Sequence, residues 1–342
     1  MSLDLEFFNR ETNITAKVVC DSVSEQGIRL TTFEIEYPRI VMSEFNTHRA
    51  VSKNSSSSRA IPVSKMLEHT KNINLKPIYF GSKKSGMQAG KELDGDDLRS
   101  AKYFWEAAMF DAVTWASELD ELGVAKEVTN RLVEPFQSVK VVCTATDWDN
   151  FFNLRLHPDA DPNICMLAYK MYKAIEGSKP TLLKSGEWHL PYTKRLFEGY
   201  TTWLATDDDT EQELTLEQAI KLSAASCASV SYRTEEMTLE KADKIFDMLI
   251  KAEVIHASPF EHLATPIVEK FDYFDKDDLD TGYEVNLPLH PDSWEDGITH
   301  VNKQGVLCSG NLRGWVQYRH LLPNNTNWKF DFEQRMKLFS EH

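Results

Sequence analysis

No Cys-x-x-Cys pair occurs in this chain, and its five cysteines (Cys20, Cys143, Cys165, Cys227 and Cys308) are scattered and odd in number. That speaks against a structural zinc module or a disulfide framework and suits a reducing, cytoplasmic setting. No run of 18 apolar residues is found, and the opening MSLDLEFFNRETN lacks the basic and apolar regions of a secretory leader. A soluble protein without a membrane partner is therefore expected. Positive charge is scarce too, the formal net charge being −15. A surface of that sign does not suit the nucleic-acid backbone, which needs clustered cations. A small anion such as a mononucleotide is compatible, provided a few arginines converge. Neither G-x-G-x-x-G nor G-x-x-x-x-G-K-[ST] is present, so a Rossmann or P-loop phosphate site has no support.

What is present suits a globular protein: 42% hydrophobic and 27% charged residues over 342 positions, enough for one large domain or two ordinary ones. The runs AKVVCDSV and GIRLTTFEIEYPRIVM are rich in Val, Ile, Thr and aromatics and read as strands about a Gly turn. LRSAKYFWEAAMFDAVTWASELDEL has helical periodicity, and Gly123 suits its stop. VAKEVTNRLV reads as a further helix, SVKVVCTAT as a strand, and DWDNFFNLRL as a helix capped by Asp147. Asp161 with Pro162 opens another helix. Thr215, with Gln218 in capping-box position, and Thr238 open two more. GSKPTLLKSGEWHLPYT reads as irregular, and the acidic run at 206–213 suits a boundary or surface loop. Strands followed by helices, without βαβ alternation, predict an α+β fold.

Four stretches carry candidate chemistry. THRAVSKNSSSSRA gathers His48, Arg49, Ser52, Asn54, Ser57, Ser58 and Arg59. By composition it suits either a solvated linker or a cradle of hydroxyls, backbone N–H groups and guanidiniums around an anion. HASPFEH holds His256, Ser258 and Glu261; Ser258 to Glu261 fits a capping box, and equally a ligand-facing turn. TDWDNFFNLRLHP holds Asn150 and Arg155 among aromatics that suit a core, and GNLRGWVQYRHLL places Trp315 and Tyr318 beside Arg319 in the same way. Cys20 and Cys143 follow Val-Val pairs, where a buried, inert thiol is expected.

Together these stretches resemble the flavin-dependent thymidylate synthases, the ThyX family. Its signature, Arg-His-Arg followed by Ser, Asn-Glu, Ser and Arg, is matched in spacing by Thr47-His48-Arg49, Ser52, Asn54-Ser55, Ser57 and Arg59. Thr47 stands where the first Arg is expected, and Ser55 where Glu is expected. NRLVEP, with Arg131, resembles the family's arginine segment. WDNFFNLRLHPDADPNI resembles its Leu-Arg helix and places Arg155 on the pyrimidine-contacting arginine; the interval between the two arginines is a few residues shorter. SAASCASVSYRT and HASPFEHLATP resemble the stretch that normally precedes the signature, yet here they follow it by some two hundred residues. GWVQYRH resembles a second copy of the strand entering the signature.

The resemblance implies a ThyX-like antiparallel sheet with packed helices. It implies a divergent member of the kind found in bacteriophage genomes, with duplicated or permuted halves at 1–205 and 206–342. The implied reaction is reductive methylation of dUMP to dTMP with methylenetetrahydrofolate, FAD and NADPH, by a homodimer or homotetramer. Arg59, Ser57, Ser58 and Arg131 would bind the nucleotide, and Arg155 would stabilise charge on the pyrimidine; Arg155 and Arg59 are the implied catalytic pair. His48, Arg49, Ser52, Asn54, Asn150, His256, Ser258 and Glu261 would line the flavin. Two rival functions remain: modification of another pyrimidine nucleotide, such as hydroxymethylation, and nucleotide binding without catalysis.

Overall fold

The computed structural model describes residues 5–196, 199–203, 211–232, 237–252, 255–268, 291, 294–326 and 330–340. Strands β1 (Thr15–Ser24) and β2 (Arg29–Pro38) form the expected hairpin. Gly27 turns it at φ 77°, a left-handed conformation that side chains disfavour. The chain then passes through a short helix, α1 (Met42–Asn46), to β3 (Ser52–Ser55) and α2 (Val63–Ile73). The long helix α3 (Gly95–Glu121) and the one-turn α4 (Lys126–Thr129) precede β4 (Ser138–Ala145). Helices α5 (Asp149–Arg155) and α6 (Pro162–Glu176) lead to β5 (Thr181–Leu183). These strands make one sheet in the order β3-β4-β2-β1-β5, antiparallel except where β5 joins β1.

Side chains alternate across this sheet, as the period of two requires. Phe33, Ile35, Val141 and Cys143 enter a core with Trp148 and Phe151 of the α5 segment and Ile164, Leu167 and Met171 of α6. Val142 points the other way, into a second core with Ala224 and Cys227 of α7 (Leu216–Ala228), Phe260 and Leu263. A meander of β6 (Thr193–Leu196), β7 (Gly199–Trp203) and β8 (Glu211–Leu214) precedes α7, and α8 (Leu239–Lys251) packs against it. After β9 (Ala264–Pro266), the short strands β10 (His300–Val301), β11 (Leu307–Ser309) and β12 (Leu312–Arg313) form a small sheet. The next strand, β13 (Trp315–Gln317), pairs with β9. Helix α9 (Phe332–Ser340) ends the described chain. The architecture is α+β, as expected.

The caps at Asp161, Thr215 and Thr238 form as read, each side chain accepting from a backbone N–H inside its helix. Three local expectations change. Asp147 does not cap α5; Trp148 takes that position, and the Asp147 carboxylate pairs with Arg313 at 2.8 Å. VAKEVTNRLV forms α4 and then a 3-10 segment, Asn130–Phe136, which runs through Pro135. Part of the irregular GSKPTLL stretch is recruited as β5 beside β1. Of the acidic run, residues 206–210 lie outside the described part, whereas Glu211–Leu214 is strand.

Candidate active site

The stretch 47–59 is not a linker. It leaves α1 through a turn in which the His48 N–H donates to the Phe45 carbonyl at 3.2 Å, then becomes β3 against β4. His48 is buried, edge-on to Phe151 with ring centroids 4.9 Å apart. Helix α5 brings Arg155 to it. The Arg155 Nε donates to His48 Nε2 at 2.9 Å, and one Nη donates to Thr47 Oγ1 at 3.0 Å and to the Glu44 carbonyl at 3.2 Å. Two motifs more than 100 positions apart therefore meet in one cluster. Burial, with the charges of Arg155 and Lys53, lowers the His48 pKa to about 4. A neutral imidazole with a lone pair on Nε2 is what the Arg155 contact needs. Lys53 adds its own charge, donating to the His48 carbonyl at 2.6 Å.

The serine bend is fastened from below. Ser58 is buried; its hydroxyl donates to Glu134 at 2.6 Å, and its carbonyl accepts from Asn130 Nδ2 at 2.8 Å. Arg39 donates to the Ser56 carbonyl at 3.1 Å. The Ser58 hydroxyl thus holds the loop's shape, whereas Arg59 beside it is exposed. Asn130 also bonds the Ile61 carbonyl at 2.9 Å, which sets the backbone of Arg131, likewise exposed, next to the bend.

Residues from the far end of the chain close over the loop. The Ser57 N–H donates to Ser231 Oγ at 2.8 Å, and the Ser52 hydroxyl to Asn311 Oδ1 at 3.0 Å. Asn311 Nδ2 donates to the Ala50 carbonyl at 2.9 Å. Asn54 meets Ser258 and His262. The SPFEH run is a 3-10 turn, Ser258–His262, rather than a boxed helix start: no side chain caps it, and Glu261 pairs with Arg319. Asn150 and His256 are exposed and make no side-chain hydrogen bond to the loop. His262 is the neighbour that sequence reasoning passed over, although it lies in the HASPFEH run, and Arg319 of GNLRGWVQYRHLL enters as the partner of Glu261.

Charge pairing separates two kinds of arginine. Arg10, Arg29, Arg39, Arg99, Arg195, Arg313 and Arg319 each meet a carboxylate. Among the described residues Arg49, Arg59, Arg131 and Arg155 meet none, in a chain of net charge −15. Cations left without counter-charge in an acidic protein are suited to an anionic ligand. Three cavities, of about 1140, 610 and 400 Å³, are lined by other residues, none of them from the 47–59 loop. No group of His, Cys, Asp and Glu that could hold a metal occurs among the described residues, and no helix there is long and apolar enough to cross a membrane. Burial pushes the Cys20 thiol up to about 12 and the Cys143 thiol higher, so neither is an activated nucleophile.

Residues 24–181 match the family model Thy1, the thymidylate synthase complementing protein. The matched segment contains the 47–59 loop, Arg131 and Arg155. Solved structures of a UMP/dUMP methylase, PolB from Streptomyces cacaoi, are similar to this chain. With 5-Br UMP bound, the likeness has 17% identity and a TM-score of 0.37, covering 48% of this chain and 89% of that one. With 5-Br dUMP bound, the figures are 16%, 0.38, 48% and 91%. No curated protein matches. Over residues 24–181, a little under half of its length, this chain is similar to the Thy1 family of thymidylate synthase complementing proteins.

Proposed function

We propose that the chain is a flavin-dependent pyrimidine-nucleotide methylase that converts dUMP to dTMP with methylenetetrahydrofolate, FAD and NADPH. The observation that carries the reading is the Arg155–His48 contact at 2.9 Å, which joins the two family motifs in one cationic cluster. The name of the PolB enzyme, a UMP/dUMP methylase, agrees with a pyrimidine nucleotide as substrate.

The donor set suits the groups the reaction needs. Phosphates ask for uncompensated guanidiniums, and Arg49, Arg59 and Arg131 are of that kind. When bound, the flavin supplies the hydride and the folate the one-carbon unit, so the protein's task is orientation and electrostatics. Arg59 and the backbone around Ser57 hold the nucleotide phosphate. Arg155, anchored by His48 and Thr47, stabilises negative charge on a pyrimidine carbonyl. Thr47 replaces an expected arginine and spends its hydroxyl on Arg155 and the Glu44 carbonyl. His48, Arg49, Ser52, Asn54, Asn150, His256, Ser258 and Glu261 form the flavin side. Because Ser231, Ser258, His262 and Asn311 come from 206–342 and touch the loop of 1–205, we assign the two segments as complementary halves. The protein acts as a homo-oligomer.

The test is a visible spectrum of the purified protein with FAD, dUMP binding by calorimetry, and mass spectrometry of the product. Flavin absorbance, dUMP binding and dTMP are expected. A colourless protein that binds no dUMP overturns the reading. The changes at Thr47 and Ser55 favour one second reading, modification of a related pyrimidine nucleotide, which a product mass other than that of dTMP would establish.

A further inference from the structure

We propose that a buried chain of hydrogen-bonded side chains, crossing the central sheet from Ser22 to Asn54, fixes which atom of the Asn54 amide the loop presents to a ligand. The ligand-facing part of this inference rests on the nucleotide-binding reading above; the chain itself does not. Strand register builds it. Thr32 of β2 lies opposite Thr144 of β4, which lies opposite Ser52 of β3, so these positions share one face of the sheet. Asn54 lies two residues further along β3, on that same face.

Two histidines complete the path. His189 Nδ1 meets Ser22 Oγ at 2.8 Å, and its Nε2 meets Thr32 Oγ1 at 2.8 Å. Thr32 Oγ1 and Thr144 Oγ1 are 2.7 Å apart. Thr144 Oγ1 meets His262 Nδ1 at 2.8 Å, and His262 Nε2 meets the Asn54 amide at 3.1 Å. His189, Thr32, Thr144 and His262 are fully buried and Ser22 nearly so. Burial lowers the His189 pKa to about 3, so that ring carries a single proton.

Proton bookkeeping leaves two arrangements that spend both threonine hydrogens within the chain. Each hydroxyl has one hydrogen to give, and the contact between the threonines needs one of them. With one proton on each ring and His262 donating from Nδ1 to Thr144, Thr144 donates to Thr32 and Thr32 to His189 Nε2. His189 then also carries its proton on Nδ1; were it to donate from Nε2 instead, one buried threonine hydrogen would be left without an acceptor in the chain, which is costly. In the reverse arrangement both rings carry it on Nε2. The two tautomers match in either case, although the rings are 73 positions apart in sequence.

Asn54 and the chain hold each other in one of these arrangements. With its amide nitrogen turned inward, Nδ2 reaches His262 Nε2 at 3.1 Å and the carbonyls of Lys53 and Ser258 at 3.2 Å each. The opposite orientation aims the amide oxygen at those carbonyls and leaves the nitrogen one contact, with Ser258 Oγ at 3.4 Å. The inward nitrogen is therefore favoured, both histidines hold Nδ1–H, and the Asn54 carbonyl oxygen faces the exposed side beside Ser258. An outward acceptor suits a ring N–H of a heterocyclic ligand and repels a phosphate oxygen. His189, Thr32, Thr144 and His262 are thereby positioning residues.

The experiment is long-range proton–nitrogen NMR of the full chain with ¹⁵N-labelled histidine, the two rings being identified by signal loss in His189→Gln and His262→Gln. The expected wild-type result is Nδ1–H on both. A mismatched pair, or a doubly protonated His262, overturns the proposal. Thr144→Val removes the middle link: His262 is expected to move to Nε2–H while His189 stays as it was, and Thr144→Ser should restore the wild-type pattern. An unchanged His262 in folded Thr144→Val overturns the coupling; if that variant does not fold, the wild-type pair decides. Calorimetry with dUMP should show affinity about tenfold weaker in Thr144→Val and close to wild type in Thr144→Ser, the scale of one misplaced hydrogen bond. Unchanged affinity alongside a moved tautomer overturns the ligand-facing role. A wild-type protein with matched histidines and no dUMP binding overturns the functional reading and leaves the chain standing.

Discussion

Arg155 is held without neutralisation: its bonds go to an imidazole, a hydroxyl and a carbonyl, none of which cancels the charge. Replacing Arg155 by Ala is expected to lower turnover about 100- to 1,000-fold, the usual cost of a lost oxyanion donor, with the circular dichroism spectrum unchanged. Steady-state kinetics with dUMP measure it. The same substitution removes one of the charges that hold His48 down, so the His48 pKa should rise from about 4, as an NMR titration would show. Both His48 and His189 titrate below the ordinary histidine value in the fold. A depressed histidine pKa means that the unfolded chain binds the proton more readily. Stability is therefore full above about pH 6.5 and falls as the pH drops toward the folded values, by about 1.4 kcal/mol per pH unit for each histidine. Urea unfolding at pH 7 and at pH 5 should show a lower midpoint at pH 5. In His189→Gln the pH dependence should be shallower.

Elements whose signals lie within a few residues were readable in advance, and their energetics follow from the same local groups. The Asp161 side chain accepts from the Asn163 N–H at 2.8 Å at the head of α6, whose inner face is buried from Ile164 to Met171. Asp161→Ala should cost about 1 kcal/mol, read as a shift of the denaturation midpoint. Trp315 is fully buried on β13, and its Nε1 donates to the Ile28 carbonyl at 3.2 Å. Trp315→Ala should cost about 3–5 kcal/mol through the cavity it leaves, measured in the same way. Two of the expectations that failed concern a local group taken by a distant partner. Asp147 pairs with Arg313 instead of capping α5, and Glu261 pairs with Arg319 instead of closing a capping box. The stretch at 47–59 could be singled out because its residue types cluster in sequence. The polar row across the sheet could not, because it depends on cross-strand register and on His189 from a stretch without periodicity.

At the scale of the whole molecule, the long helix is over-apolar for a protomer standing alone. On α3, Phe104 is 67% exposed and Trp115 64%, and Leu122 just past its end is 79% exposed. Their spacing of eleven and seven residues puts the three within about 20° of one another around the axis. Tyr103 and Phe110 widen the exposed apolar surface. Large apolar side chains left exposed along one face of a helix suit a contact surface, and the loop at 47–59 is not enclosed by any of the three cavities described. Both features agree with a site that another copy of the chain helps to cover. Sedimentation velocity should find a dimer or larger assembly. Trp115→Glu should shift it toward the monomer, because a carboxylate in an apolar contact is costly to bury. The variant's secondary structure should persist, since Trp115 contributes little to the protomer core. Should nucleotide turnover fall together with assembly, the subunits complete the site for one another; a fully active monomer would confine the site to one chain.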